Sequence, residues 1–424
     1  RGLSGGRILV VGGGGREHAL VWRIAQDRPA AELFAAPGNG GTEALGTNVP
    51  LAATDIAGLV AWCDEHRPDI VVVGPDDPLA AGIVDALTAA GHRAFGPTAA
   101  AARIEASKAW ATGVCTAAGV PIPGSHTFDD PDGAEAFVRE RGAIYVVKAD
   151  GLALGKGVIV PDSVEETVAA IDKLGRQKVV GEAGARLVLQ QKLFGREASV
   201  FALCDGSDHH LIGVARDYKR IGEGDTGPNT GGMGAYTPVS DVDPQMLADI
   251  EARIIAPVLA EMRRCGSPFT GFLYAGLMLT DRGPVVIEFN ARMGDPEAQV
   301  LLPLLRFDMV AAMEAAIDGR LETLDLPQPS GAATCVVLAS GGYPGSYAKG
   351  VPISGIDETG PDTLVFQAGT ARADGQLLTS GGRVLAVTGL GASVPEATAR
   401  AYAGADHIAF EGAVRRADIA AGAT

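Results

Sequence analysis

A short apolar run, Ile8-Leu9-Val10-Val11, stops at Gly12-Gly13-Gly14-Gly15, and Leu20, Val21 and Ile24 follow at helical spacing. This strand, glycine turn and helix constrains the fold most, because the pattern recurs. A second strand expected around 33–36 ends in Pro37-Gly38-Asn39-Gly40-Gly41. A third over 70–73 ends in Gly74-Pro75-Asp76, ahead of a helix expected over 79–90. Repetition of that unit is the βαβ rhythm of a parallel sheet whose ligand loops lie at its carboxyl edge.

The texture changes after about residue 104. A helix-like stretch over 99–118 carries Lys108 and leads to the linker Val120-Pro121-Ile122-Pro123. Strands over 145–149 and 158–160 flank a glycine loop and read as a hairpin. A helix over 163–174 and a strand over 187–190 complete a small α+β module. Further strands are expected over 198–204, 273–280 and 285–289, and a tail of short strands and glycine turns begins near 326. The expected organisation is α/β and α+β multidomain: 1–104, then 105–325 with a lid subdomain at about 126–190, then a small β-rich unit over 326–424.

Composition supports a folded chain. Of the 424 residues, 47% are hydrophobic and 20% charged, which excludes a disordered polymer. A formal net charge of −16 argues against nucleic-acid binding, although a local basic or amide-lined site could still take a small anion. Cys63, Cys115, Cys204, Cys265 and Cys335 lack metal-site spacing and read as reduced, buried thiols. No apolar run approaches 18 residues, so no membrane span or membrane partner is expected. The opening Arg-Gly-Leu-Ser-Gly-Gly lacks an apolar core and reads as a trimmed or appended terminus rather than a signal peptide. The expected compartment is the cytoplasm.

The loops carry the chemistry. A dinucleotide fingerprint starting at Gly12 and Gly14 fails at Glu17, and no acid closes the second strand. What remains is a glycine turn at a helix N-terminus with Arg16, suited to an isolated phosphate or, alternatively, a purely structural turn. Gly151-Leu152-Ala153-Leu154-Gly155-Lys156-Gly157 misses the P-loop spacing; it reads as a hairpin able to close over phosphates, with Lys148 at its base, or as a solvated glycine hairpin. In Glu288-Phe289-Asn290-Ala291-Arg292, alternate residues share one strand face, so Glu288 and Asn290 offer hard oxygen donors for Mg²⁺ and Arg292 a charge for a phosphoryl group. A half-exposed strand with a surface ion pair is the other reading. The stretch 217–236 is a long aperiodic loop that opens on Asp217, Lys219 and Arg220 and could wrap a small polar substrate or, alternatively, be a disordered surface loop.

Taken together, VVGGGGREHAL, PGNGGT, VVVGPDDPLAAGIVDAL, FGPTAAAARIEASKAWA, KADGLALGKGVIV, DYKRIGEGDTGPNTGGMGAYTP, GFLYAGLML, VIEFNARMGDPEAQ and TSGGRVLAVTGLG resemble the glycinamide ribonucleotide synthetase family of the ATP-grasp superfamily, ligases of purine biosynthesis. The resemblance spans almost the whole chain. It implies a Rossmann-like pre-ATP-grasp domain, a two-part ATP-grasp fold holding ATP, and a small C-terminal domain. It further implies ATP-dependent ligation of glycine to 5-phosphoribosylamine through a glycyl phosphate, with Mg²⁺, or Mn²⁺ in its place. Lys108 and Lys148, with the lid glycines Gly151, Gly155 and Gly157 and Lys156, match the nucleotide-phosphate positions. Gln190 and Leu193 match the adenine hinge, Glu197 the ribose carboxylate, and Glu288 and Asn290 the metal ligands. Arg292 falls to the γ-phosphoryl group, and Asp217, Lys219, Arg220 and Asp295 to glycine and its acyl phosphate. Gly13, Gly15 and Arg16 are assigned to the ribose 5-phosphate, with Asn39, Asn229 and Thr230 also expected on the substrate. His18 lies in the same motif and reads either as a helix-packing residue or as a ligand.

Two positions depart from the wider pattern. The hinge reads Gln190-Gln191 where the family usually has two glutamates, and Gly276 stands where many ATP-grasp enzymes carry an acidic metal ligand. Other ATP-grasp ligases, a non-catalytic nucleotide-binding protein and a dehydrogenase are the competing readings. A monomer or weak homodimer is expected, with Arg16, Lys108, Lys148, Lys219, Arg220 and Arg292 converging on one cleft.

Overall fold

Continuous apolar runs build the N-terminal layer. The computed structural model describes residues 5–151 and 157–424. Strands β1 (Arg7–Gly12), β2 (Glu32–Pro37), β3 (Thr47–Asn48), β4 (Ile70–Val73) and β5 (Ala94–Phe95) form a parallel sheet in the order β3-β2-β1-β4-β5. Its central strands are buried on both faces, which is why their sequences do not alternate. The strand order reverses beside β1, so the loop after β1 and that after β4 open a crevice at the carboxyl edge.

Helix α1 (Gly15–Asp27) explains the failed fingerprint. The Glu17 carboxylate turns back to accept the Gly14 N–H at 2.7 Å, satisfying a first-turn amide from within the helix. Gly12 has φ +129°, and a Cβ there would lie 2.3 Å from the Glu17 side chain. The glycine run thus makes room for Glu17. A first-turn amide available to a phosphate already has a carboxylate partner.

Two expected helices are broken. The stretch after β4 splits into Asp76–Ala80 and Ile83–Ala89 at Gly82, whose φ is +89°. The stretch 99–118 splits into Ala99–Ala106 and Lys108–Ala118 at Ser107, which is extended and caps the second helix through its hydroxyl. Lys108 therefore opens a helix instead of lying within one.

Strands β6 (Ser125–Phe128), β7 (Tyr145–Ala149), β8 (Val158–Ile159) and β9 (Leu187–Gln191) form an antiparallel sheet in the order β6-β9-β7-β8, with the β7–β8 hairpin expected from sequence. Val138, Val147, Ile171, Leu174, Leu187 and Leu189 give it a separate small core. The larger antiparallel sheet contains β10 (Arg196–Asp205), β11 (His209–Asp217), β14 (Gly234–Thr237), β15 (Thr270–Thr280), β16 (Gly283–Asn290), β17 (Ala332–Ala339), β18 (Thr363–Gln367) and β21 (Arg383–Gly391). The order is β16-β15-β10-β11-β14-β17-β21-β18, so the tail strands extend the sheet built by residues 196–290. Within the stretch 217–236, β12 (Arg220–Gly222) and β13 (Thr226–Asn229) pair as a hairpin, so the expected aperiodic loop is ordered. Strands β19 (Thr370–Ala373) and β20 (Gln376–Thr379) form a second hairpin.

Four of the five cysteines are buried, but Cys265 is exposed at the end of a helix, contrary to the uniform burial expected. No helix among the described residues is long and apolar enough to cross a membrane.

The helix Val394–His407 lies directly on β21: a Cβ at Gly389 would fall 2.1 Å from the Ala397 carbonyl oxygen and 2.4 Å from the Ala401 nitrogen. Backbone cannot yield as a side-chain tip can. Gly389→Ala is expected to destabilise the protein by about 3 kcal/mol. Calorimetry checks this as a lowered Tm, and an unchanged Tm would contradict the packing.

Candidate active site

The register of β15 against β16 sets the first cluster. Gly276 pairs with Glu288 and Leu277 with Val286, so the ladder slips by one residue at Ile287. The Ile287 carbonyl then accepts the Lys148 ammonium at 2.9 Å, joining β7 of the small sheet to β16 of the large one. Opposite Glu288, a Cβ at Gly276 would lie 3.3 Å from the Glu288 Cγ, so glycine spares the side chain a close contact.

Cations gather around that carboxylate. Burial by itself would raise Glu288, yet Lys219, Lys148, Lys108 and Arg292 together hold it below the usual carboxylate range. Burial pushes Lys148 down to about 8, against the pull of Glu288. Burial would also lower Lys219, but Glu197, 2.8 Å from its ammonium, and Asp217 outweigh it and hold Lys219 well above its ordinary value. Asp217 itself is pushed up by burial, reinforced by Glu297 and Glu197. The Lys108 ammonium donates to the Gly151 carbonyl at 2.9 Å, at the described edge of the glycine loop.

Arg292 lies just beyond the strand, not on its face. Its guanidinium meets Glu105 at 2.8 Å, and Glu105 also accepts the Ala291 N–H at 2.7 Å. Burial raises Glu105 to about 7 despite that guanidinium. One guanidinium nitrogen, Arg292 Nε, is buried without a partner. Glu105 was not identified from sequence, although it lies in the quoted FGPTAAAARIEASKAWA string.

A second feature adjoins the first through the segment 292–297. A cavity of about 340 Å³ is lined by Gly13, Gly14, Gly38, Asn39, Asp295, Tyr343, Ala368, Gly369, Thr370, Ser380 and Arg383. It lies where the loops after β1 and β2 face the turn after β18. Arg383 donates to the carbonyls of Gly231 and Asp295, both at 2.8 Å, and its guanidinium lies 3.2 Å from the Asp295 carboxylate. Burial would raise Asp295, but Arg383 and Arg16 hold it down. Arg383 was missed because it sits in the late TSGGRVLAVTGLG string, 88 residues from the acid that it meets.

The remaining sequence-predicted residues distribute around these two features. Gly13 and Asn39 line the cavity. Gly15 is packed on Gln299, and Arg16 stands behind the loop on Glu17 and the Met293 carbonyl. Thr230 bonds the Lys219 carbonyl through its N–H and its hydroxyl, at 2.7 and 2.8 Å, and Asn229 pairs with Arg220 across the β12–β13 hairpin. Arg220 turns back to the Gly227 carbonyl at 2.7 Å. Of the six cations expected in one cleft, Lys108, Lys148, Lys219 and Arg292 act on Glu288. Arg16 acts on Asp295 and on Glu105, and Arg220 bonds the Gly227 carbonyl. Gln190 is buried in β9 opposite Val146 and Ser125, and Leu193 is half-buried in the loop to β10. The Gly157 carbonyl accepts the Ala149 N–H at 2.8 Å. Gly155 and Lys156 lie outside the described residues.

The electrostatic coupling makes a direct expectation. In the free protein the Lys148 ammonium should titrate near 8, and Glu288→Gln should lower it further by removing the largest favourable charge. Lysine side-chain NMR reads this; an ordinary lysine titration in both proteins would contradict the cluster.

Comparison with known proteins agrees with this architecture. Three consecutive family models match: the phosphoribosylglycinamide synthetase N domain over residues 6–105, its ATP-grasp (A) domain over 106–298, and its C domain over 333–422. The chain is 45% identical over 426 residues to the phosphoribosylamine–glycine ligase of Rhodopirellula baltica, covering 98% of each. It is 46% identical over 413 residues to that of Mesorhizobium japonicum, covering 97% of each. The crystal structure of the phosphoribosylamine–glycine ligase from Thermotoga maritima superposes with a TM-score of 0.85 at 34% identity, covering 97% of this chain and 100% of that one. The biotin carboxylase domain of a Hydrogenobacter thermophilus 2-oxoglutarate carboxylase shares the fold alone, with a TM-score of 0.74 at 15% identity over 96% of this chain and 91% of that one. Three matched domains in sequence and full-length identity above two-fifths establish that the chain belongs to the phosphoribosylglycinamide synthetase family.

Proposed function

We propose that the chain ligates glycine to 5-phosphoribosylamine at the expense of ATP, forming glycinamide ribonucleotide, ADP and phosphate in purine biosynthesis. The observation that carries the reading is the Glu288 carboxylate among Lys148, Lys219, Lys108 and Arg292, next to a polar cavity walled by Asp295 and Arg383. One region suits phosphoryl transfer, and the other a polar sugar phosphate amine.

A carboxylate is a poor acylating agent, because its leaving group would be oxide. In our reading a glycine carboxylate oxygen attacks the ATP γ-phosphorus and ADP departs, leaving glycyl phosphate. The ribosylamine nitrogen then attacks the glycyl carbonyl, expels phosphate and loses a proton. No protein nucleophile is required; the chain supplies positioning and charge. Lys148 and Lys108 neutralise nucleotide phosphates, and Arg292, with its unpartnered Nε, faces the transferring group. Asp217 and Lys219, with Arg220 and Asp295, orient glycine and its acyl phosphate. The glycine loop 151–157 excludes water from an intermediate that hydrolyses readily. Gln190 can accept from the adenine amino group, Leu193 packs near the base, and Glu197 takes the ribose.

The oxygen donors of Glu288 and Asn290, two residues apart on β16, fit Mg²⁺, or Mn²⁺ in its place. Such an ion would neutralise charge on the nucleotide phosphates. The 340 Å³ cavity is assigned to phosphoribosylamine: Gly13 and Asn39 wall it, Arg383 supplies the cation, and Gly15 and Arg16 support the loop from behind. Asn229 and Thr230 hold the adjoining edge. The domain division 1–104, 105–325 and 326–424, action as a monomer or weak homodimer, and a cytoplasmic location belong to the same reading.

Glu288→Ala should abolish ADP formation in the presence of both glycine and phosphoribosylamine in a protein that still folds; ordinary turnover would remove Glu288 from the phosphoryl site. Arg383→Ala should raise the KM for phosphoribosylamine at least ~10-fold, with that for ATP within about twofold. A change confined to ATP would overturn the assignment of the cavity. For the wild type, kcat/KM for ATP should fall above an apparent pKa near 8 as Lys148 loses its ammonium. Lys148→Arg should shift that limb to higher pH, and an unchanged limb would assign it to another group.

A further inference from the structure

The wall of the cavity that comes from the chain's last quarter is held by a buried polar clamp. The Gln367 N–H donates to His18 Nδ1 at 2.7 Å. The Gln367 carbonyl accepts from Asn39 Nδ2 at 2.7 Å, and the same nitrogen lies 3.0 Å from the Gly13 carbonyl oxygen. The Thr370 hydroxyl donates to Gln367 Oε1 at 2.9 Å and accepts the Gly40 N–H at 3.2 Å. His18, Asn39, Gln367 and Thr370 are all buried. Between Gln367 and Thr370 lie Ala368 and Gly369, which with Thr370 form one side of the cavity.

His18 is the end of this clamp on α1. As an acceptor at Nδ1, its neutral ring carries the proton on Nε2. Burial, which pushes His18 down to about 4, keeps that neutral form at physiological pH. The ring is fixed edge-on to Phe366, 5.7 Å between centroids, and Gly41 covers its other side: a Cβ there would lie 2.2 Å from His18 Cε1.

We propose that His18 is a positioning residue for phosphoribosylamine, fixing the turn 368–370 against the loop after β2 so that the cavity has its binding shape. It touches no reacting atom. The proposal rests on the assignment of the cavity above, and it adds that a residue outside the cavity lining sets the affinity for that one substrate.

The test compares KM for each substrate in His18→Phe, His18→Asn and Thr370→Val. Phe keeps the ring and removes the acceptor; Asn returns an oxygen near the Nδ1 position. His18→Phe should raise the KM for phosphoribosylamine ~10-fold, with the values for ATP and glycine within about twofold, because the Gln367 N–H is left unsatisfied. His18→Asn should recover most of the loss. If His18→Phe does not fold, Thr370→Val reads the same clamp and should show the same selective rise. Equal values for Phe and Asn, or a common rise for all three substrates, would overturn the proposal. If Arg383→Ala raises the KM for phosphoribosylamine while the clamp variants leave it unchanged, the proposal fails and the cavity assignment stands. If Arg383→Ala also has no effect, the cavity assignment fails.

Discussion

The hydrogen bond from the Lys148 ammonium to the Ile287 carbonyl is the contact on which the site depends. It exists because β15 and β16 slip register at Ile287, releasing a carbonyl from the ladder. It places a buried cation beside Glu288 and joins the small sheet to the large one. A lysine held this way carries a cost: its charge is desolvated, and Glu288 is what keeps it in place. The two groups stabilise each other's ionised forms, and each would be unfavourable alone. Phosphates entering the cleft would meet a charge already fixed in position, so little reorganisation remains for the moment of transfer.

The acidic character of the chain takes on a different meaning in this light. A net charge of −16 describes the whole molecule, whereas Lys108, Lys148, Lys219 and Arg292 concentrate the opposite sign around one carboxylate. Asp295 plays the complementary part at the neighbouring cavity, held ionised by Arg383 and Arg16. The segment 292–297 links the two. An intermediate formed beside Glu288 would need to travel only along that segment to meet an amine in the cavity.

Local patterns made much of this readable from sequence. The apolar runs at 8–11 and 70–73 identify parallel strands because both faces are buried. The hairpin at 145–159 and the Glu288–Asn290 spacing are likewise local. Helix breaks at Gly82 and Ser107 were hidden, since each depends on one residue's backbone conformation or capping bond within an otherwise helical pattern. The role of Glu17 was hidden by the glycines that accommodate it. Long-range pairing was the least legible: nothing in the tail's own sequence says that β17 pairs with β14, or that Arg383 reaches Asp295. Glu105 likewise gained its meaning only when it met Arg292, far along the chain.

The central claim is that the cation-lined carboxylate cluster activates glycine by phosphorylation before the amine attacks. Transfer of label from carboxyl-¹⁸O glycine tests it most directly. With ATP and phosphoribosylamine present, the account predicts that each phosphate released carries one oxygen from glycine, detected by mass spectrometry. Phosphate released without that label during productive ligation would contradict it.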